Sequence, residues 1–168
     1  MWNTDLLAAI GVSDLAIDPV TVTTMYLASG DGDAGDTYSL GVLKSIDGGL
    51  TWSATGLSWA VSQARTIRKL LIDPGNTQIV HAATSLGMYR TTDGGTNWTL
   101  IQAGSFYDAE FNPSTPATVY AVTGTNCYRS TNSGASYASV FSNGSANRLA
   151  LAVTPANNAY VYMLAGSA

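Results

Sequence analysis

The 168-residue chain is 46% hydrophobic and 11% charged, a balance that places it with ordered, sheet-rich proteins and excludes a disordered one. Seven Lys and Arg against eleven Asp and Glu leave a net charge of −4 and an isoelectric point near 4.5, which argues against a nucleic-acid partner because phosphate binding needs a basic face. No apolar run approaches the ~20 residues that span a bilayer, and the single cysteine, Cys127, permits no internal disulfide.

Residues 1–14 begin without the basic and apolar regions of a signal peptide. Trp2-Asn3-Thr4-Asp5-Leu6-Leu7 reads as the last strand of a preceding unit, followed by a connector. Leu15-Ala16-Ile17-Asp18-Pro19 is a strand ended by an Asx-Pro turn, since Asp bonds its own backbone and Pro presets φ. A second strand carries Tyr26, and a third, Val42-Leu43-Lys44, leads into Ser45-Ile46-Asp47-Gly48-Gly49-Leu50-Thr51-Trp52. A fourth strand starts at Trp52.

The same order then returns. Leu70-Leu71-Ile72-Asp73-Pro74, His81 and Met88-Tyr89-Arg90 precede Thr91-Thr92-Asp93-Gly94-Gly95-Thr96-Asn97-Trp98, with a strand from Trp98 to Ile101. Phe111-Asn112-Pro113, Tyr120 and Cys127-Tyr128-Arg129 precede the eroded Ser130-Thr131-Asn132-Ser133-Gly134-Ala135-Ser136-Tyr137, with a strand from Tyr137 to Val140. Ala152-Val153-Thr154-Pro155 with Tyr162 starts a further copy.

Spacing turns these likenesses into a repeat. The offsets from Pro to the second-strand residue, 26−19, 81−74, 120−113 and 162−155, are all 7. The boxes recur at 93−47=46 and 132−93=39, close to the roughly 40–50 residues of a propeller blade. The predicted fold is therefore all-β, a single array of four-stranded antiparallel meanders over residues 1–168. Its units are 15–56, 67–103, 107–142 and the half-unit 148–168, about three and a half blades in all. Such a count points to part of a larger ring, an excised piece, or half of an assembly completed by the remaining blades or a second copy of the chain.

The box has a mechanical explanation. Asp47 and Asp93 accept hydrogen bonds from the turn's own N–H groups, Gly49 and Gly95 take backbone angles that a Cβ forbids, and Trp52 and Trp98 anchor the hairpin. In the third copy Asn132 still accepts and Tyr137 still anchors. Ser45, Thr91, Ser130 and Gly134 complete the structural set.

These strings resemble the Asp-box, or BNR, superfamily of β-propellers, which includes sialidases, sortilin-type receptors, xyloglucan-cleaving endoglucanases and photosystem assembly factors. The stretch from Gly30 through Asp31, Asp33, Asp36 and Tyr38 to Ser45 looks most like secreted multidomain exoproteins of Bacteroidetes-type bacteria. The resemblance implies an extracellular or cell-surface bacterial protein in which the Asp boxes lie away from the ligand face and are structural.

Departures from the minimal repeat locate the candidate site. The second-to-third-strand gap is 88−81=7 and 127−120=7 in two blades but 42−26=16 in the first, so nine extra residues surround Asp31, Asp33, Asp36 and Tyr38. The gap from box aromatic to pre-proline residue is 18−2=16, 112−98=14 and 154−137=17, but 73−52=21 for the stretch with Trp59, Gln63 and Arg65. Antiparallel strands alternate in direction, so both enlarged loops fall on one face, opposite the boxes. Three readings stand for that face: contact with protein or polysaccharide, a Ca²⁺ site on Asp31, Asp33 and Asp36, or an Asp/Gly-rich loop ordered by its own turns. The D-x-D-x-x-D spacing is not an EF-hand loop.

Column logic assigns the remaining conspicuous residues. His81 shares the column of Tyr26, Tyr120 and Tyr162 and is expected to be a packing residue; Cys127 shares that of Val42 and Met88 and behaves as a small hydrophobe. Lys44, Arg90 and Arg129 immediately precede the boxes and are expected to form salt bridges between blades, with a basic ligand-binding stripe as the alternative. No Ser-His-Asp order, Cys-His pair, phosphate loop or zinc cluster is visible. The sequence thus points to a non-catalytic scaffold or binding module without membrane insertion. The alternative is part of a xyloglucanase-like glycoside hydrolase whose second carboxylate lies in other blades.

Overall fold

A computed structural model describes residues 11–32 and 37–166 of the chain. The stretch read from Trp2 to Leu7 as a closing strand, together with Asp33 and Asp36, lies outside the described residues.

Regular structure is almost entirely strand. The first sheet holds β1 (Val12–Ile17), β2 (Met25–Ser29), β3 (Gly41–Ser45) and β4 (Ser53–Ser58) in simple antiparallel order. The second holds β5 (Ile67–Ile72), β6 (Val80–Thr84), β7 (Gly87–Thr91) and β8 (Thr99–Ala103). The third holds β9 (Asp108–Phe111), β10 (Val119–Val122), β11 (Asn126–Ser130) and β12 (Ala138–Ser142). A hairpin of β13 (Arg148–Val153) and β14 (Val161–Gly166) follows. The first strands β1, β5, β9 and β13 lie side by side along the inner edge of the array.

Each blade buries its faces against its neighbours. Tyr26, Ala28 and Val42 of the first blade pack on Ile67, Leu70 and Val80 of the second. Ala83 and Met88 of the second meet Phe106, Ala109 and Ala121 of the third, and Val122 and Cys127 of the third meet Leu149 and Leu151 of the hairpin. Cys127 is a buried free thiol inside this apolar seam, as its column implied.

Two hydrogen-bonding devices stitch the seams. Asp14 on β1 accepts from Leu70 N on β5 at 2.7 Å, and Asp108 on β9 accepts from Leu151 N on β13 at 2.9 Å. The equivalent of these aspartates on β5 is Lys69, which cannot accept; it lies 3.6 Å from Glu110 instead. Burial raises the Glu110 carboxyl above its ordinary value, with the nearby Lys69 ammonium working against that shift.

The second device corrects an expectation. Lys44 and Arg90 do bridge blades, but through backbone carbonyls instead of carboxylates: Lys44 Nζ donates to Gly94 O at 2.8 Å and Arg90 Nε to Ser133 O at 2.8 Å. A box turn directs its carboxylate inward onto its own N–H groups, so the acceptor left facing the neighbouring blade is a carbonyl.

The fourth strands begin one residue after the box aromatics rather than on them. Trp52 Nε1 and Trp98 Nε1 donate back to Gly49 O and Gly95 O, both at 3.1 Å, which holds each indole in the turn.

Candidate functional site

The enlarged loops meet. Ser39 N, in the β2–β3 connection, donates to Arg65 O in the β4–β5 connection at 2.8 Å, and Trp59 N donates to Leu40 O at 2.9 Å. A buried hydroxyl network fixes the stem of the first loop: Ser29 Oγ donates to Gly41 O at 2.7 Å, and Leu40 N and Gly41 N donate to Ser29 Oγ and Ser39 Oγ, each at 2.9 Å. Asp31 N closes that loop on Thr37 O at 2.7 Å.

Within the second loop the residues divide by role. Gln63 Oε1 accepts from Ala60 N at 2.8 Å and caps a single 3₁₀ turn, Val61–Gln63. Trp59 is half-buried with its ring edge-on to Tyr89 of the second blade, centroids 6.3 Å apart. Arg65 is half-buried, and its Nε has no hydrogen-bond partner among the described residues. Tyr38 is exposed.

Asp31 stands beside the inner strands. It lines a cavity of about 270 Å³ with Ser13, Gly32, Arg68, Tyr107 and Arg148. A neighbouring cavity of about 320 Å³ shares four of those residues and adds Asp14, Lys69 and Asp108 at the starts of the inner strands. Arg68 organises this mouth: Nε donates to Gly32 O at 3.0 Å, Nη1 donates to Ser105 Oγ at 3.0 Å and Phe106 O at 2.9 Å, and the guanidinium lies 4.2 Å from the Tyr107 ring centroid. Arg148 approaches the same ring at 5.7 Å. Cations over an aromatic face gain electrostatic stabilisation from the ring quadrupole. The sequence pattern missed Arg68, Tyr107 and Arg148. Their signal was positional, since Arg68 and Tyr107 share the place six residues before Pro74 and Pro113 on successive inner strands.

Of the proposed calcium ligands, Asp31 is described, while Asp33 and Asp36 lie outside the described residues. Among the described residues no cluster of three His, Cys, Asp or Glu side chains is placed to hold a metal ion.

The box turns occupy the opposite end. Asp47 accepts from Ser45 Oγ at 2.7 Å, Thr51 N at 2.9 Å and Thr51 Oγ1 at 2.6 Å; Asp93 accepts from Thr91 Oγ1 at 2.7 Å, Asn97 N at 2.9 Å and Asn97 Nδ2 at 2.7 Å. Donors to the charged form favour it. The hydrogen bonds from Thr51 lead in holding Asp47 at about 2, and those from Asn97 lead in holding Asp93 at about 2. Ser130 Oγ and Ser136 N donate to Asn132 Oδ1 at 2.8 and 3.0 Å, so the eroded copy keeps the same bonds with a neutral acceptor. Gly49 and Gly95 hold φ of +85° and +94°, backbone angles that a Cβ disfavours. A groove of about 470 Å³ lies on this end between β4 and the second box turn, and its walls are mostly small residues.

No family model matches the chain. A xyloglucanase of Hypocrea jecorina is 32% identical over 92 residues, 51% of this chain and 11% of that protein. A xyloglucanase of a Paenibacillus species is 33% identical over 101 residues, 56% of this chain and 9% of that protein. The chain thus spans about a tenth of the length of these curated relatives. Among solved structures, an ancestral GH74 enzyme superposes with a TM-score of 0.74 at 22% identity, over 91% of this chain and 21% of the other. The Niastella koreensis GH74 enzyme gives 0.62 at 26% identity, over 86% and 24%. An auxiliary nutrient binding protein from Bacteroides thetaiotaomicron gives 0.65 at 14% identity, over 92% and 36%.

The chain is a run of β-propeller blades. Its first strands adjoin one another along the inner edge, so Asp31, Arg68, Tyr107 and Arg148 stand together at one end of that edge, on the face that carries the enlarged loops. The boxes close the other face.

Proposed function

We propose that this chain is a non-catalytic segment of an extracellular, Asp-box-type bacterial propeller that presents its inner-edge mouth and enlarged loops to a polysaccharide. The observation that carries the reading is the junction of the two enlarged loops beside the mouth, where Asp31, Arg68, Tyr107 and Arg148 bring acidic, cationic and aromatic groups around one open cavity. Oligosaccharides are recognised by such mixtures of planar polar donors and aromatic surface on a preformed frame. The partial similarity to xyloglucanases favours a β-glucan backbone over a protein ligand.

The second reading, a glycoside hydrolase, rests on the same similarity and on Asp31. Hydrolysis requires two carboxyl groups about 5–10 Å apart across the scissile bond. Among the described residues that line the two cavities, the other carboxylates, Asp14 and Asp108, are engaged by backbone N–H groups of the next blade, so on this reading the second carboxyl group lies outside those residues.

Affinity electrophoresis of the full chain in gels containing xyloglucan or other soluble polysaccharides, run beside an assay for released reducing ends, separates the two readings. Retardation that weakens in Asp31→Ala and Tyr107→Ala without release of reducing ends supports a binding module. Reducing ends that vanish in Asp31→Ala establish the hydrolase, and no retardation by any polysaccharide removes both readings.

A further inference from the structure

Asparagine is a thermolabile residue, because the backbone nitrogen that follows it can attack its side-chain carbonyl carbon. Asn143 is the one asparagine of the chain that a glycine follows, and glycine has no Cβ to obstruct that approach. It lies in the β12–β13 connection, which joins a fourth strand to a first strand as the β4–β5 connection does, and so falls on the face of the enlarged loops. The connection is an Asx turn: Ser145 N donates to Asn143 Oδ1 at 3.1 Å, Ala146 N to Asn143 O at 3.1 Å, and Asn143 N to Thr125 O at 2.7 Å. Gly144 is exposed, and nothing stands within 4 Å of where a Cβ would be. Its N–H and the side-chain nitrogen of Asn143 have no hydrogen-bond partners among the described residues.

The third box turn is the contrasting case. Asn132 is also followed by a small residue, but Ser133 N donates to Ala117 O at 2.8 Å. Asn132 Oδ1 accepts from Ser130 Oγ and Ser136 N at 2.8 and 3.0 Å, and Asn132 Nδ2 donates to Ser136 Oγ at 3.0 Å. Attack at Asn132 would break the bond to Ala117 O and those of the side-chain amide together. The intact boxes hold the equivalent nitrogen in the same way, Gly48 N on Thr23 O at 2.9 Å and Gly94 N on Gln78 O at 3.0 Å.

We propose that Asn143 is a self-modification site that deamidates through Gly144 in the folded protein, while the box hydrogen bonds protect Asn132. The Gly144 nitrogen gives its proton to water or hydroxide and bonds to Cγ of Asn143; the Cγ–Nδ2 bond breaks, ammonia leaves and a succinimide closes. Water then opens the ring at either carbonyl, giving aspartate or isoaspartate with no change of oxidation state. Ser145 N already donates to the oxygen on which charge develops, and a donor so placed stabilises the intermediate. The product adds a carboxylate to the face of the enlarged loops. Isoaspartate also lengthens the main chain by one atom in the turn that delivers buried Ala146 to the apolar seam of Val122 and Leu149. The inference is independent of the polysaccharide reading.

The test incubates the full folded chain at mildly alkaline pH and follows its intact mass, with peptide mapping to place any change. The expected result is the mass gain of an amide-to-acid exchange confined to Asn143, with both aspartate and isoaspartate in the mapped peptide. Gly144→Ala, which the open space around that residue accommodates, should lose most of the gain over the same interval. Ser133→Gly puts a glycine after Asn132 and leaves the box bonds in place; Asn132 of this variant should stay intact in the folded protein and react alongside Asn143 in urea. No gain at Asn143, a gain that survives Gly144→Ala, or an Asn132 that reacts as fast as Asn143 in folded Ser133→Gly overturns the proposal.

Discussion

Tyr26 and Lys44, opposed across β2 and β3, share one acceptor on the next blade: the phenol reaches Gly94 O at 3.0 Å and the ammonium reaches it at 2.8 Å. Lys44 Nζ also stands 5.2 Å from the Tyr26 ring centroid. Burial, reinforced by the charges of Asp18 and Asp93, pushes the phenol up to about 12, so it remains a donor at any physiological pH. Tyr26→Phe should cost about 1 kcal/mol in urea unfolding, the net value of one hydrogen bond. Lys44→Met should cost a similar amount, and the double variant less than the sum, since the two donors serve one carbonyl. Additive losses in the cycle would mean that the shared acceptor does not couple them.

Below pH 4, acid should act on the boxes. Asp47 and Asp93 each fall from an ordinary 3.8 to about 2 in the folded protein. A depressed folded value means that the stabilisation is complete above 3.8 and is lost as pH falls through about 2. The thermal midpoint should therefore decline between pH 4 and pH 2. Asp93→Asn, which copies the neutral acceptor at Asn132, should make that decline shallower; an unchanged decline would place the acid sensitivity elsewhere.

Legibility followed the range of the interactions. The box could be read from sequence because its bonds run within eight residues, from Ser45 to Trp52, and its chemistry survives even when Asn132 replaces the aspartate. The junction of the enlarged loops followed from strand parity, and the Ser39–Arg65 bond realises it. The inner-edge mouth was hidden, because Arg68, Tyr107 and Arg148 come from three different blades and each alone looks like an ordinary residue at a strand entrance. Lys44 was assigned the right neighbour and the wrong acceptor, since composition does not reveal that a box turn offers a carbonyl outward.

Lys69 and Glu110 provide a seam-specific test. They lie 3.6 Å apart, each about a third exposed, at the place where the other two seams use an aspartate to accept a backbone N–H. Lys69→Met leaves the half-buried Glu110 carboxylate unpaired and should cost about 1–2 kcal/mol. Adding Glu110→Gln should recover most of it, because replacing both members of an ion pair is often nearly neutral. Failure of the second substitution to rescue would show that the lysine stem, and not its charge, supports the seam.

Ser133 sits at φ +53°, where the intact boxes have Gly48 at +75° and Gly94 at +66°. A Cβ in the left-handed region costs roughly 1–2 kcal/mol. Against the larger chain entropy that glycine loses on folding, Ser133→Gly should still raise stability by about 0.5–1 kcal/mol and leave the Arg90 bond to the carbonyl at this position in place. Gly134→Ala should do the reverse and severely, since φ there is +71° and the added methyl would run into the His81 imidazole.

His81 marks where the second seam departs from the first. It replaces the phenol of Tyr26, is 1% exposed, and neither ring nitrogen has a hydrogen-bond partner among the described residues; the hydroxyl of the adjacent Tyr137 is likewise unpaired. Burial, then the Arg90 guanidinium, pulls the imidazole from an ordinary 6.5 down to about 4. The folded protein therefore holds His81 neutral while the unfolded chain binds a proton, so stability is complete above pH 6.5 and falls as pH drops from 6.5 toward 4. The loss should be on the order of 3 kcal/mol over that window, the energy of a shift of this size. It is separable from the box transitions because those lie below pH 4. His81→Phe keeps an aromatic in the seam without a titrating group and should remove the slope between pH 4 and 6.5 in urea unfolding. If the slope persists in His81→Phe, the proton uptake belongs to another group and the buried imidazole is not its source.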